Sequence, residues 1–476
     1  MKRLTWILAI IFPLALVAAD WNLVRVPAPS DPAALEAAGF QLFHRAGDYW
    51  IGSLPEGAPI PEGGQALTGY QPGGGDLYRL LIPSGAEADK LTGKVAILYR
   101  DQDEVIFQAT QKQLETLPPL KAEWVRITLT AKPLHYSGVI PPATDEFHPL
   151  VQDMVNQVSQ TQCTQNVQTL QDFITRNTRT ANCDSAAAWI LGRFQSFGLN
   201  AYYDLFTLSG MTKRNVIGEL PGLLYPDSIV FVTGHYDATA GSPSQPEPVA
   251  PGADDNASGT AAVIECARIL SNYDFEKTIR FCAFAGEEQG LVGSEDYVAN
   301  LISQGARVVG SFNCDMIAWS GSDPLPFDLV LYSDNNPRSI AMANKVAEAV
   351  TTFVPGTLEP LVTIAPTMTG SDHAPFWDAG WPAICSIEDE AWGSDFNPYY
   401  HSVNDLLVNC DMVYATNCTR VNLAALADYA VPIVSGGPYL GVDSTVFDDI
   451  GGNNNGAPDP GETISILVYL INVGTQ

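Results

Sequence analysis

Basic side chains are scarce in this chain: 24 Lys and Arg stand against 53 Asp and Glu, a formal charge of −29 over 476 residues. No run of Lys or Arg forms a stripe, which excludes nucleic acid and anionic lipid surfaces as electrostatic partners. The 8 cysteines include no CxxC spacing, and that argues against thiolate-bound zinc. After the first residues no apolar run is long enough to span a membrane. The one early run, LTWILAIIFPLALV, follows the basic start MKR and ends at the small residues Val17-Ala18-Ala19. It reads as a secretory signal peptide over residues 1–19, too short and Pro-interrupted to favour a permanent anchor. The expectation is a secreted protein, extracellular or periplasmic, without a stable membrane anchor and monomeric.

The cysteines divide into two kinds. Cys163 with Cys183, and Cys410 with Cys418, flank short polar segments and are candidates for disulfides in an exported chain. Cys266, Cys282, Cys314 and Cys385 sit inside apolar runs and read as buried thiols.

At 476 residues, with 46% hydrophobic composition, the length suits more than one domain. Residues 20–135 mix apolar stretches with Pro/Gly-rich turns and read as a small α+β or β-rich domain, a pro-region or a permanent accessory domain. Within it FQLFHRAGDYWIG and AILYRDQDEVIFQ share a strand–turn–strand rhythm, a weak sign of internal duplication. From about 145 to 435, helices at 147–177 and 184–197 lead into an alternation of near-continuous apolar strands and amphipathic helices. That pattern implies an α/β fold, a mainly parallel mixed sheet flanked by helices on both faces. Residues 436–476 turn rich in Asn, Gly and Asp around the alternating run ISILVYLINV, as in the start of a β-sandwich module that the chain leaves truncated. Its Asp448–Glu462 stretch approaches a calcium loop but misses the EF-hand pattern at the first position.

The chemistry lies in the α/β region. FVTGHYDAT, PGADDNASG, AFAGEEQGLVGSEDY, FNCDM and NPYYHSVNDL place histidines and carboxylates at or near the ends of apolar runs, the edge where open α/β sheets bind ligands. Catalytic zinc takes N and O ligands and leaves a position for water, and paired metals sit roughly 3.5–4 Å apart with a shared water. His235 and Asp315 suit one metal, Glu288 and His401 the other, and Asp255 bridges both. The carboxylates and a hydroxide then balance two zinc ions, which spares a buried cluster a large desolvation cost. Asp237 remains to accept the second ring N–H of a ligand histidine, and Glu287 remains as general base. Taken alone, Asp254 and Asp255 are also ordinary helix N-terminal carboxylates. The Asn256-Ala-Ser258 triplet matches a glycosylation acceptor but falls inside the candidate site.

In their order, the motifs HxD, GADDxASG, EExGLxGS, DM and NPxxH resemble the M28 family of zinc aminopeptidases, over roughly 145–435, and within it the secreted bacterial leucyl-type members. The resemblance implies two zinc ions, Asp255 as bridge, Glu287 as base, Asp237 beside His235, and peptide or protein N-termini as substrates. SDHAPFWDAG also matches a family stretch, with His373 not expected to be a ligand. The chain departs from the closest secreted members where they carry a Tyr and a Cys pair; here Thr367-Met368-Thr369-Gly370 stand, leaving Ser371 or a zinc ion to stabilise an oxyanion. Met316, Ile387, Trp392, Phe396 and Tyr400 are expected to wall an apolar substrate pocket, with Ser371 beside it. A glutaminyl cyclase and a receptor-like module with a decayed metal site are the alternatives on the same fold.

Overall fold

The computed structural model describes residues 21–29, 32–136, 147–321, 325–434, 440–448 and 465–472. The expected signal peptide and nearly all of the candidate calcium loop lie outside these residues.

The N-terminal domain is built from two similar halves. The first runs β1 (Trp21–Pro27), α1 (Ala33–Ala37), β2 (Gln41–Arg45), β3 (Tyr49–Pro55) and β4 (Gln65–Ala66). The second runs β5 (Asp76–Leu81), α2 (Gly85–Asp89), β6 (Ala96–Arg100), β7 (Glu104–Ala109), α3 (Gln111–Leu114) and β8 (Glu123–Ile127). Each half forms a four-stranded antiparallel sheet, with orders β2-β3-β1-β4 and β6-β7-β5-β8. The two similar sequence stretches are the corresponding hairpins, β2-β3 and β6-β7. Leu23, Phe43 and Ile51 of one half pack with Leu77, Leu98 and Ile106 of the other, so the halves share a core.

Helices α4 (Leu150–Asn156), α5 (Gln160–Gln171) and α6 (Ala181–Ser196) open the second domain. The continuous helix expected over 147–177 is broken because Ser159 is extended and caps α5, accepting the Gln162 N–H. Then follow β9 (Asn200–Leu208), β10 (Met211–Leu220), β11 (Tyr225–His235), α7 (Ala257–Leu270), β12 (Lys277–Phe284), α8 (Val292–Ser303) and β13 (Arg307–Cys314). β14 (Phe327–Ser333), α9 (Pro337–Phe353), β15 (Leu358–Ile364), α10 (Ala374–Asp378), β16 (Ala383–Ile387) and α11 (Met412–Ala430) complete it. They build an eight-stranded sheet of order β15-β14-β16-β13-β11-β12-β10-β9. The central pairs β16/β13, β13/β11 and β11/β12 are parallel. The outermost strands β9 and β15 have no clear sequence signal, because both are largely solvent-accessible and carry mixed side chains.

The central strands are apolar on both faces for a reason visible in β11. Val230 and Val232 pack under α7 and α11, whereas Ile229 and Phe231 point to the opposite core with Phe376 and Trp377 of α10. Burial on two faces removes the polar alternation of a half-exposed strand. Beyond α11, β17 (Leu440–Asp448) pairs antiparallel with β18 (Ser465–Asn472). Among the described residues no helix is long and apolar enough to cross a membrane.

Candidate functional site

The parallel strands deliver the candidate ligands to one edge. His235 ends β11, Asp315 follows β13 directly, Glu287 and Glu288 follow β12, Asp255 precedes α7, and His401 lies between β16 and α11. Asn256 locks these elements together: its Oδ1 accepts the Gly259 N–H at 2.8 Å, capping α7, and its Nδ2 donates to the Cys314 carbonyl at 2.9 Å. A Cβ on Gly259 would lie 2.0 Å from the Cys314 oxygen, so only glycine lets α7 start this close to β13. Asn256 is fully buried, which removes it as a glycosylation acceptor.

His235 Nε2 lies 3.3 Å from Asp255 Oδ1 and 3.3 Å from Asp315 Oδ1. His401 Nε2 lies 3.4 Å from Asp255 Oδ2 and 3.0 Å from Glu288 Oε2. The two oxygens of Asp255 therefore face different histidines, each of which has its own second carboxylate. His235, Asp255 and Asp315 converge as one donor group and Asp255, Glu288 and His401 as another, with the donor atoms in each within 4.8 Å. Two adjoining sites sharing one aspartate are the arrangement a bridged metal pair requires, and imidazole with carboxylate is a donor set that zinc accepts.

The electrostatics call for added positive charge. Burial pushes Glu288 up to about 8, with the Asp255 charge adding to it, and burial with neighbouring carboxylates raises Glu287 well above its ordinary range. Burial also works to raise Asp255, but hydrogen bonds from both histidines outweigh it and hold the carboxyl below its usual value. For His235 and His401 burial disfavours the proton, yet the surrounding carboxylates win and raise both. Glu288 Oε1 is buried without a hydrogen-bond partner. The residues present thus fit a cationic guest.

Residues 215–426 match the family model for Peptidase family M28. The domain belongs to peptidase family M28. A "Probable zinc metalloprotease" of Leptosphaeria maculans is 27% identical over 364 residues, covering 66% of this chain and 83% of that protein. Aminopeptidase YwaD of Bacillus subtilis is 32% identical over 207 residues, covering 42% of this chain and 41% of that protein. Among solved structures, the LapA aminopeptidase of Legionella pneumophila aligns with a TM-score of 0.58 at 18% identity, over 75% of this chain and 99% of that one. At that identity it establishes the shared fold.

Other residues of the M28 domain hold the site in place. Both oxygens of Asp405 accept backbone N–H groups, from Asp254 at 2.9 Å and Asp255 at 3.0 Å. Asp405 is the aspartate of the NPYYHSVNDL segment, and its nearness to His401 in sequence was the only available signal. Asp237 accepts from Thr178 Oγ1 at 2.7 Å and from the Glu287 N–H at 3.4 Å. The nearer oxygen to His235 Nδ1 is the Asp237 carbonyl at 3.2 Å, with its carboxylate at 3.7 Å. Its side chain therefore steadies the Glu287 backbone more directly than the imidazole. Ser371 donates to Asp315 Oδ2 at 2.5 Å and accepts from Asn313 Nδ2 at 2.8 Å. Its proton is committed to a candidate ligand, which corrects the expectation of an oxyanion donor. His373 bonds the Met368 carbonyl at 2.8 Å, and burial lowers it to about 4.

Arg176 has a role that no local sequence pattern signals. Wholly buried, it donates to the carbonyls of Tyr236 at 2.6 Å, Leu170 at 3.1 Å, Pro251 at 2.5 Å and Gly252 at 2.7 Å. It thereby fixes the loop leading into Asp255. Arg176→Lys cannot reproduce the planar fork and should cost roughly 2–5 kcal/mol of stability, measured by urea denaturation. An unchanged midpoint would remove this role.

A cavity opens beside the candidate ligands. Met316, Ile387 and Ser371 line it with Tyr332, Met368 and Cys385, while Trp392, Phe396 and Tyr400 do not. Those three rings pack on one another with centroids 5.2–5.4 Å apart, and Tyr400 stacks on His401 at 3.7 Å. These aromatics share one small core with Met316, Tyr332, Cys385 and Ile387, so they back the wall of the cavity instead of forming it. The eight cysteines are free thiols. Cys163 faces Thr416 and Thr419, whereas Cys183 sits beside Tyr236 and Asp237. Separate surroundings thus replace the expected Cys163–Cys183 bridge, and Cys410 and Cys418 are likewise unpaired.

Proposed function

We propose that the chain is an exported zinc-dependent aminopeptidase that uses two zinc ions and prefers apolar N-terminal residues. The observation that carries this is Asp255, whose two oxygens lie 3.3 Å and 3.4 Å from two histidines, each with a further carboxylate. Family membership and the printed names of the relatives supply zinc and aminopeptidase chemistry. Export rests on the residues 1–19 alone.

Zinc ions held by His235, Asp255, Asp315, Glu288 and His401 would supply Lewis acidity and a water that is nucleophilic near neutral pH. Glu287, with Oε2 3.9 Å from His235 Nε2, takes the proton of the attacking water. It returns that proton to the leaving amine nitrogen, which regenerates the carboxylate as the peptide bond breaks. Asp237 holds the Glu287 backbone, Ser371 orients Asp315 and Asp405 fixes Asp255. Carboxylates around the cavity favour a protonated α-amino group, which directs cleavage to the chain end.

The cavity wall of Met316, Met368, Tyr332 and Ile387 is apolar. Burying a Leu or Phe side chain there is worth roughly 1.5–3 kcal/mol, whereas a Glu side chain would be desolvated among carboxylates. Leucyl, methionyl or phenylalanyl anilides should exceed glutamyl anilide at least tenfold in kcat/KM, and N-acetyl-leucyl anilide should be inert. Equal turnover of leucyl and glutamyl substrates would overturn the apolar preference. Cleavage of the acetylated substrate would overturn the aminopeptidase assignment, and conversion of an N-terminal glutaminyl peptide into the pyroglutamyl peptide with loss of ammonia would point to a cyclase.

A further inference from the structure

The cavity beside the candidate ligands holds only about 40 Å3, room for a few water molecules, against roughly 300 Å3 or more for an ordinary small-molecule site. What closes it is the N-terminal domain: Glu123, the first residue of β8, lines the same cavity as His235, Asp255, Glu287, Asp315 and His401. Its Oε1 accepts a hydrogen bond from the Tyr400 hydroxyl at 2.5 Å, and Tyr400 is the ring stacked on His401.

The approach is prepared from the other side. A Cβ placed on Gly370 would lie 2.6 Å from Glu123 Cβ, so glycine at this position leaves room for the incoming strand. Gly370 ends the Thr367–Gly370 segment that departs from the family pattern. The rest of that segment also receives the N-terminal domain: Arg79 Nη1 donates to Thr369 Oγ1 at 2.5 Å and to the Thr367 carbonyl at 3.3 Å. Around the remaining rim, the Leu120 N–H bonds the Gly241 carbonyl at 3.1 Å and the Arg126 N–H bonds the Gly290 carbonyl at 3.1 Å. Further out, Lys132 pairs with Glu295 at 2.7 Å while nearly inaccessible, and His44 Nδ1 lies 2.8 Å from Asp378 Oδ2. Contacts from both halves of the N-terminal domain thus ring the opening, and Val125 packs against Leu291 and Ala374 just beyond it.

Glu123 is thus held among the candidate ligands by the Tyr400 hydroxyl and by the close approach of β8 to Gly370. We propose that the N-terminal domain is an intramolecular inhibitor, seated on Thr367–Gly370, whose Glu123 plugs the space that a substrate's N-terminal residue must enter. This rests on the aminopeptidase reading of the site. The chain as it stands is then a latent form, and activity requires the domain to be cut away or displaced.

The test compares the intact, zinc-loaded chain with the same sample after limited proteolysis removes the N-terminal domain, the new N-terminus being sequenced. Leucyl anilide hydrolysis and calorimetric binding of leucine hydroxamate are read on both. Removal should raise kcat/KM at least tenfold, and hydroxamate binding should appear only after it. Glu123→Ala in the intact chain should move both readouts in the same direction with zinc content unchanged, and Asp378→Asn, remote from the ligands, should speed release of the domain under protease. Equal rates and equal hydroxamate binding before and after removal would overturn the proposal. So would a fall in rate in Glu123→Ala, which would instead make Glu123 a binder of the substrate amine. If the processed protein gains hydroxamate binding yet cleaves no aminoacyl substrate, the plug stands and the aminopeptidase reading fails. If processing unfolds the protein, Glu123→Ala decides alone.

Discussion

Glu287→Gln should keep both metal ions and the fold while kcat/KM falls by about 10²–10⁴, the loss typical of removing a general acid–base group. In free energy that is about 3–5 kcal/mol of transition-state stabilisation. The substitution preserves shape, and the Glu287 N–H still reaches Asp237, so positioning is retained while the proton acceptor is lost. The measurement is steady-state hydrolysis of leucyl anilide by processed protein, with zinc quantified on the same sample. Glu287 Oε2 is 3.9 Å from His235 Nε2, farther than the 3.3 Å of Asp255 and Asp315 from the same nitrogen, as suits a group outside the ligand set. A variant with near-full activity would take Glu287 out of the chemistry.

Substitutions at the ligands should act on metal content first, and differently at the two positions. His401→Ala removes one donor of the Asp255/Glu288 group and leaves His235, Asp255 and Asp315 intact. It should retain one tightly bound zinc and lose the other. Asp255→Asn weakens both groups, because each histidine faces one of its oxygens, and both ions should bind more weakly by more than the 10–100-fold typical of losing a supporting residue. Equilibrium dialysis against buffered zinc reads the two cases. Native affinity for two ions in either variant would refute the assignment of that residue.

The α/β architecture was legible because its central strands are buried on both faces and so read as unbroken apolar runs such as that of β11. The candidate ligands His235, Glu288 and Asp315 were legible because each ends or closely follows such a run, whereas Asp255, just before α7, and His401, between β16 and α11, were legible only from the ordered motifs that contain them. Residues whose roles depend on distant partners were not readable. Arg176 sits between two helices with no local pattern, and its function comes from carbonyls at Tyr236 and Pro251–Gly252. Glu123 lies in a different domain from the site it lines. The aromatics before His401 misled in the opposite sense: their proximity to a ligand in sequence suggested a pocket wall, but they pack on one another and behind the residues that form it. The cysteine pairs failed for a similar reason, since spacing says nothing about which neighbours α5 and α6 turn each thiol towards.

The bridged pair of metals is tested most directly by a crystal grown with zinc and measured on both sides of the zinc absorption edge. Two anomalous peaks should appear roughly 3.5–4 Å apart, one near His235 and Asp315, the other near Glu288 and His401, with the Asp255 carboxylate between them. A single peak, or two peaks that do not share Asp255, would contradict the dinuclear centre.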